Sequence, residues 1–375
     1  MQELFRAAIE RGASDIHIKS GDFIRARIHG DLQPLTQQKL SVDQVTSIAL
    51  KLIPHEEDKA NFDKLTDYDC SWGIPGLGRF RVNILKQRGS PMIVMRSIPI
   101  EIPSVQDLGL PDIINKIANH ERGLILVTGV TGSGKSSTMA AMINWMNQNK
   151  RLHIVTLENP IEFLHRDNMS SITQRDIGTD TDSFVTGLRA VLRQDPDVIL
   201  IGEMRDKVTI ETALKAAETG HLVVSTLHTK NAVQTISRII AVFAPEEQEM
   251  IRIRLSESIQ AVVSQRLVQK KEGGRVAAME IMPVTATIRD CIRDPERIDD
   301  IHDLIADGKE HYGSQTFDQH LMDLVKADSV EFDVAKAASN NPADFDLKMN
   351  MFGDPGADDQ GSGSLADEMT QMYGG

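Results

Sequence analysis

The chain has 375 residues, 41% hydrophobic and 25% charged, which supplies a sizeable core and exceeds the usual length of one domain. Its formal net charge of -13, from 54 acidic and 41 basic residues, argues against a protein that coats DNA or anionic lipid. Only two cysteines occur, Cys70 and Cys291, which excludes a disulfide scaffold and any multi-cysteine zinc module and fits a reducing compartment.

In chain order, Leu4, Phe5, Ala8 and Ile9 stand at helical spacing over residues 2–11. Period-two alternation follows at 15–19 and 23–28, then a turn at Gly30-Asp31. Residues 41–53 return to a helical pattern with Ser41 as N-cap. Strand patterns occupy 67–73, 78–86 and 92–98. Residues 1–98 therefore predict a compact α+β domain. Two prolines, Pro99 and Pro103, disfavour helix and make 99–117 an extended linker or hinge. From 118 to 352 near-continuous apolar strands at 124–128, 153–157, 198–201 and 222–226 alternate with helical patterns at 136–147, 182–194 and 206–219. That rhythm predicts a parallel sheet with helices on both faces, an α/β domain. A long helix is expected over 245–270, with Pro245 at N1 and a stripe of Met250, Ile253, Ile259, Val262, Val263 and Leu267, and helical segments continue to about residue 338. The end, 353–375, holds Asp354, Asp358, Asp359, Asp367 and Glu368 without a basic residue and reads as a disordered tail. No apolar run approaches the ~20 residues of a membrane span, and the first residues lack the apolar stretch of a secretory signal, so the expected location is cytoplasmic.

The most specific signal is Gly129-Val130-Thr131-Gly132-Ser133-Gly134-Lys135-Ser136, a match to G-x-x-x-x-G-K-[ST] between an apolar strand and a helical pattern. The glycines let backbone N–H groups turn inward onto phosphate oxygens, and the helix N-terminus adds its dipole. Gly129, Thr131, Gly132, Ser133, Gly134, Lys135, Ser136 and Ser137 are the expected nucleotide-binding residues, with Lys135 on the β- and γ-phosphates of ATP and the Ser136 hydroxyl on Mg²⁺. The strand at 198–201 ends at Glu203, placed as a Walker B carboxylate that supports Mg²⁺. The strand at 153–157 ends at Glu158, a candidate to orient or deprotonate the attacking water, with Glu162 as the spare. His228 closes the strand at 222–226 and is a candidate γ-phosphate sensor. Ligands gather at the carboxyl ends of parallel strands, so these residues should share one rim. No His/Cys/Asp cluster has zinc-ligand spacing.

GVTGSGKSS at 129–137, TLENPIEF at 156–163, ITQRDIGTDTDSF at 172–184, LRQDPDVILIGEMRD at 192–206 and ETGHLVVSTLHT at 218–229 together resemble the secretion-ATPase superfamily, and within it the PilT-like ATPases that retract type IV pili. GASDIHI at 12–18, IHGDLQPL at 28–35 and GLGRFRVN at 76–83 extend the resemblance to the front half. It implies a PAS-like N-terminal domain, a RecA-like ATPase domain, a homo-hexameric ring and ATP held between the two domains. It places the water-activating glutamate on Glu158, the Walker B glutamate on Glu203 and the His-box histidine on His228. It also implies N-terminal arginines near the phosphates, for which Arg79, Arg81 and Arg96 are candidates and Arg81 and Arg96 the choice. Implied partners are the inner-membrane pilus platform protein and a paralogous pilus ATPase, at the inner face of the inner membrane, with lipid met only indirectly.

One motif departs from that pattern. Retraction ATPases carry a segment close to AIRNLIRE, where this chain has TIRDCIRD at 287–294, and Gln315-Thr316-Phe317-Asp318-Gln319 looks more like the PilU-type paralogues. An accessory retraction ATPase and a nucleotide-dependent regulator are therefore the alternatives. A motor that translocates nucleic acid is a weaker one, because 11 Phe, 3 Tyr and 2 Trp form no basic–aromatic stripe for stacking bases.

Overall fold

The structure, a computed structural model, describes residues 2–28, 30–74, 78–98 and 101–352. The expected tail 353–375 lies outside the described residues, as do 75–77 and 99–100. Six strands form a first sheet: β1 (Ala13–Lys19), β2 (Arg25–Ile28), β3 (Asp31–Pro34), β4 (Asp67–Ile74), β5 (Gly78–Gln87) and β6 (Ser90–Ile98). Their order is β3-β2-β1-β6-β5-β4, antiparallel at every junction. Alternation decides which way each face looks. On β5, Phe80, Val82 and Ile84 turn inward while Arg79, Arg81 and Asn83 turn outward. The inward face packs under the helices Gln2–Glu10 and Val42–Leu52, where Phe5 meets Trp72 edge-on at 5.8 Å. Ser41 caps the second helix as expected: its hydroxyl accepts the Gln44 N–H, and the Gln44 side chain accepts the Ser41 N–H. On the outward face, Arg27, Asp15, Arg96, Arg81 and Ser71 stand side by side across five strands.

The second sheet holds β7 (Gly123–Thr128), β8 (His153–Glu158), β9 (Ser171–Asp176), β10 (Val198–Ile201), β11 (Leu222–Leu227), β12 (Ile259–Gln269) and β13 (Arg275–Pro283), in the order β13-β12-β7-β11-β10-β8-β9. Every pairing is parallel except that of β12 with β13. β7, β10 and β11 are buried along their whole length, and separate apolar clusters cover the two faces, as the continuous apolar runs require.

Four expectations are corrected. The helix over 245–270 stops at Ser258, and residues 259–269 form β12. Pro245 does open the helix, but its inward side carries Ile251 and Leu255, while Met250 is 59% and Ile253 38% exposed. Ile259, Val262, Val263 and Val268 are β-branched and suit a strand, and β12 satisfies its backbone on both β7 and β13. The helical reading up to residue 338 also misses β13 and ends early, because the last described helix is Pro342–Phe352. β9 is a third omission, a polar strand with no apolar run to announce it. The stretch expected as a hinge, 99–117, divides: Val105, Leu110, Ile114 and Ile117 are buried in the second domain's core.

The outer edge of β13 is covered rather than left open. Gln315 exchanges backbone bonds with Ile281, and buried His320 accepts the Met279 N–H through Nδ1 at 2.9 Å. Burial lowers the His320 pKa from 6.5 to about 4. The unfolded chain therefore binds this proton first, so the stability contributed is full above pH 6.5 and is lost as pH falls toward 4. Between about pH 7.5 and about pH 5 the loss is about 2 kcal/mol. His320→Asn, which keeps a neutral acceptor, is expected to show that much less acid sensitivity in urea unfolding, and equal sensitivity in both proteins would contradict the assignment.

Candidate functional site

The parallel strands β7, β8, β10 and β11 deliver their carboxyl ends to one edge of the sheet, and the expected residues follow from there. β7 runs into the loop 129–134 and the helix Lys135–Asn149. Three loop glycines have positive φ: Gly129 at 143°, Gly132 at 78° and Gly134 at 91°. A Cβ on Gly129 would lie 2.6 Å from Ser133 Oγ and closer still to the Gln265 carbonyl, whereas one on Gly132 would meet open space. The loop is thus tight against β12 behind and open in front.

Gln265 of β12 donates its Nε2–H to the buried Ser133 carbonyl at 2.7 Å and fixes the loop from behind. Ser133 Oγ is buried with no partner among the described residues, an orphan group inside the cradle. Lys135 Nζ folds back onto the carbonyls of Gly129 at 2.9 Å and Val130 at 3.0 Å. Burial lowers its pKa, and the charge of Glu203 acts against that shift. The ammonium therefore stands between loop and carboxylate, where a triphosphate would compete for it.

Glu203 follows β10 and pairs with Arg205, while His228 Nε2 stands 3.2 Å from its other oxygen. The ends of β10 and β11 are locked together, since Ser225 donates to the Ile201 carbonyl at 2.8 Å and Thr226 to that of Gly202 at 2.6 Å. Glu158, at the end of β8, is half-buried. Its Oε1 accepts the Thr156 hydroxyl at 2.6 Å and the Gln174 Nε2–H at 3.1 Å, and its Oε2 accepts the Glu162 N–H at 3.3 Å. Burial pushes its pKa up, and these hydrogen bonds pull the other way.

The arginines divide. Arg81 faces the loop after β8, 3.9 Å from the carboxylate of Glu162. Arg96 is its cross-strand neighbour but is held by Asp15 of its own domain at 2.8 Å. Arg79 ties the domains together, donating to Asp176 at 2.9 Å. The expected site residues thus gather at the rim, apart from Arg96. Reading the sequence missed Gln265, Gln174, Asp176 and Arg205. The first lies in a strand taken for helix, and the next two on the polar strand β9, where Ile172-Thr173 is the one β-forming cue.

The chain matches the type II/IV secretion system protein family over residues 1–291. It is 41% identical over 343 residues to the type IV pilus retraction ATPase PilT of Pseudomonas aeruginosa, spanning 92% of this chain and 99% of that one. It is 36% identical over 362 residues to the type IV pilus ATPase PilU of the same organism, spanning 95% and 93%. A crystal structure of the pilus retraction motor PilT with bound ADP superposes with a TM-score of 0.84 at 42% identity, over 92% of this chain and 99% of that one.

The cradle generates a direct expectation. Gly129→Ala puts a methyl where the Gln265 carbonyl and Ser133 Oγ already sit, at a φ that an L side chain resists. Affinity for a fluorescent ATP analogue is expected to fall by roughly tenfold or more, about 1.4 kcal/mol at least, and unchanged affinity would contradict the cradle.

Proposed function

The chain belongs to the type II/IV secretion system protein family, and we propose how the residues of its rim turn ATP hydrolysis into retraction of a type IV pilus. It is an ATPase of the pilus-retraction kind, with nucleotide as its substrate. The observation that carries the site is the glycine loop wound between β7 and β12, with Lys135 at its end under the charge of Glu203 and with Glu158 farther along the same sheet edge, at the end of β8.

On this reading the backbone N–H groups of 129–137 hold the phosphates. Lys135 Nζ exchanges the Gly129 and Val130 carbonyls for β- and γ-phosphate oxygens. The Ser136 hydroxyl and the Glu203 carboxylate suit Mg²⁺, a hard cation that takes one or two protein oxygens beside substrate phosphates; when bound, it offsets the charge on those phosphates. Glu158, with its raised proton affinity, accepts a proton from the attacking water as the oxygen bonds to the γ-phosphorus and the bond to the β-phosphate oxygen breaks. His228 reports on the γ-phosphate through Glu203. Arg81, placed at the loop after β8, supplies positive charge from the N-terminal domain, and Arg96 follows it on the same sheet face.

We assign residues 1–98 to the N-terminal domain and 118–352 to the ATPase domain, with 99–117 as the connection, whose latter part is anchored in the ATPase domain's core through Val105, Leu110, Ile114 and Ile117. Closure of one on the other with nucleotide, repeated around a ring of six copies, makes turnover mechanical. The pilus platform protein at the inner face of the inner membrane is the proposed partner. Among the described residues no helix is long and apolar enough to cross a membrane.

One observation keeps an accessory, PilU-like role as a second reading. In the helix Ala286–Arg293, the arginines of the altered TIRDCIRD segment are engaged internally: Arg289 donates to the carbonyls of Ser256 and Glu257, and Arg293 to the Ser256 hydroxyl. They cap the helix Pro245–Ser258.

Lys135→Ala is expected to reduce steady-state Mg²⁺-ATP turnover by roughly 10²-fold or more with an unchanged melting temperature. Full turnover by that variant would remove the phosphate-site assignment. A deletion strain is expected to carry excess surface pili and to lose twitching. Loss of pili would point to assembly, and an unchanged strain to the accessory role.

A further inference from the structure

β9 joins the two domains at the carboxylate that the proposed mechanism relies on. In register, Thr156 pairs with Gln174 and Glu158 with Asp176, so Gln174 and Asp176 flank Glu158 on one face of the sheet. The Gln174 amide donates to Glu158 Oε1 and to the Phe163 carbonyl at 2.9 Å, and its oxygen accepts the His165 N–H at 2.8 Å. One side chain thus braces Glu158 and the loop that follows it.

Asp176 is 3% exposed, and a buried carboxylate needs partners. Its two hydrogen-bond donors, Ser71 at 2.6 Å and Arg79 at 2.9 Å, both come from the N-terminal domain. Its own N–H donates to Asp180, which leaves the carboxylate directed across the domain boundary. A second tie runs from Arg81 to Glu162, whose N–H reaches Glu158 Oε2. A third joins His55 to the Gly178 carbonyl at 3.1 Å.

We propose that Asp176 is a positioning residue: by binding Ser71 and Arg79 it makes docking of the N-terminal domain a condition for Glu158 to be held, through β9 and Gln174, in its water-activating place. With the domain docked, the Asp176 charge is neutralised and Arg81 restrains the loop through Glu162. With it undocked, an unpaired carboxylate stands beside Glu158 and the loop loses one of its braces. Hydrolysis is thereby tied to the domain closure that the motor uses. The inference rests on the assignment of Glu158 made above.

The test is steady-state ATPase kinetics of the full chain carrying Arg79→Ala, Asp176→Ala or both, with Glu158→Gln alongside. Each single variant is expected to lower kcat about tenfold with KM for ATP changed less than about twofold, because positioning for chemistry is lost and substrate binding is not. The double variant is expected to fall no further than the worse single one, as for two ends of one contact. Wild-type kcat in both single variants, a loss confined to KM, or multiplied losses in the double variant would overturn the proposal. If Asp176→Ala does not fold, Arg79→Ala decides alone, and wild-type kcat overturns it. An inactive Glu158→Gln beside fully active latch variants would sink the coupling and spare the assignment of Glu158. An active Glu158→Gln would sink both.

Discussion

Parallel pairing of β7 with β11 on one side and β12 on the other is the constraint on which the rest depends. Parallel strands need crossovers, so all their carboxyl ends lie at one edge, and a chain that alternates strand and helix has no choice about where its loops collect. β7 contributes the glycine loop there, β8 Glu158, β10 Glu203 and β11 His228. β12 then does something its neighbours do not. Through Gln265 it holds the loop from behind, so that loop N–H groups can face forward onto an anion. The clearance behind Gly129 is too small for any side chain, which ties a backbone conformation to a residue type.

The electrostatics of the rim follow from that arrangement. Lys135 stands between its own loop carbonyls and the field of Glu203, and Glu203 stands between Arg205 and His228. Glu158 is set apart from this group, among neutral donors, and burial raises its proton affinity. Two carboxylates on one edge thus meet different surroundings, one suited to a cation and one to a proton. The N-terminal domain reaches the second of these through β4 and β5, whose outward residues Ser71, Arg79 and Arg81 meet the end of β9 and the loop after β8.

Much of this was legible in the sequence, for a physical reason. Strands buried on both faces must be apolar along their length, so 124–128, 153–157, 198–201 and 222–226 declared themselves, and each ended at the residue later found on the rim. Ser41 and Pro245 signalled helix starts by capping chemistry that is local. The misses arose where local and tertiary signals differ. Ile253, Ile259, Val263 and Leu267 fit a helical stripe by spacing, yet belong to two elements, because the sheet supplied partners that a window of sequence does not show. β9 has an exposed edge and a polar composition, so neither face advertises a core. Its chemistry-bearing residues, Gln174 and Asp176, are defined by a cross-strand register and a domain contact, neither of which is written in spacing. Arg96 shares the sheet face of Arg81, as strand alternation requires, but a pairing with Asp15 inside its own domain, which spacing does not announce, holds it away from the rim.

The most direct test of the account is a crystal structure of the full chain with Mg²⁺ and a non-hydrolysable ATP analogue. The account expects the triphosphate in loop 129–136, with Lys135 Nζ moved from the Gly129 and Val130 carbonyls onto phosphate oxygens, Ser136 and Glu203 on the Mg²⁺ side, and Glu158 facing the γ-phosphate. A triphosphate bound away from that loop, or a Lys135 still seated on its own carbonyls, would contradict it.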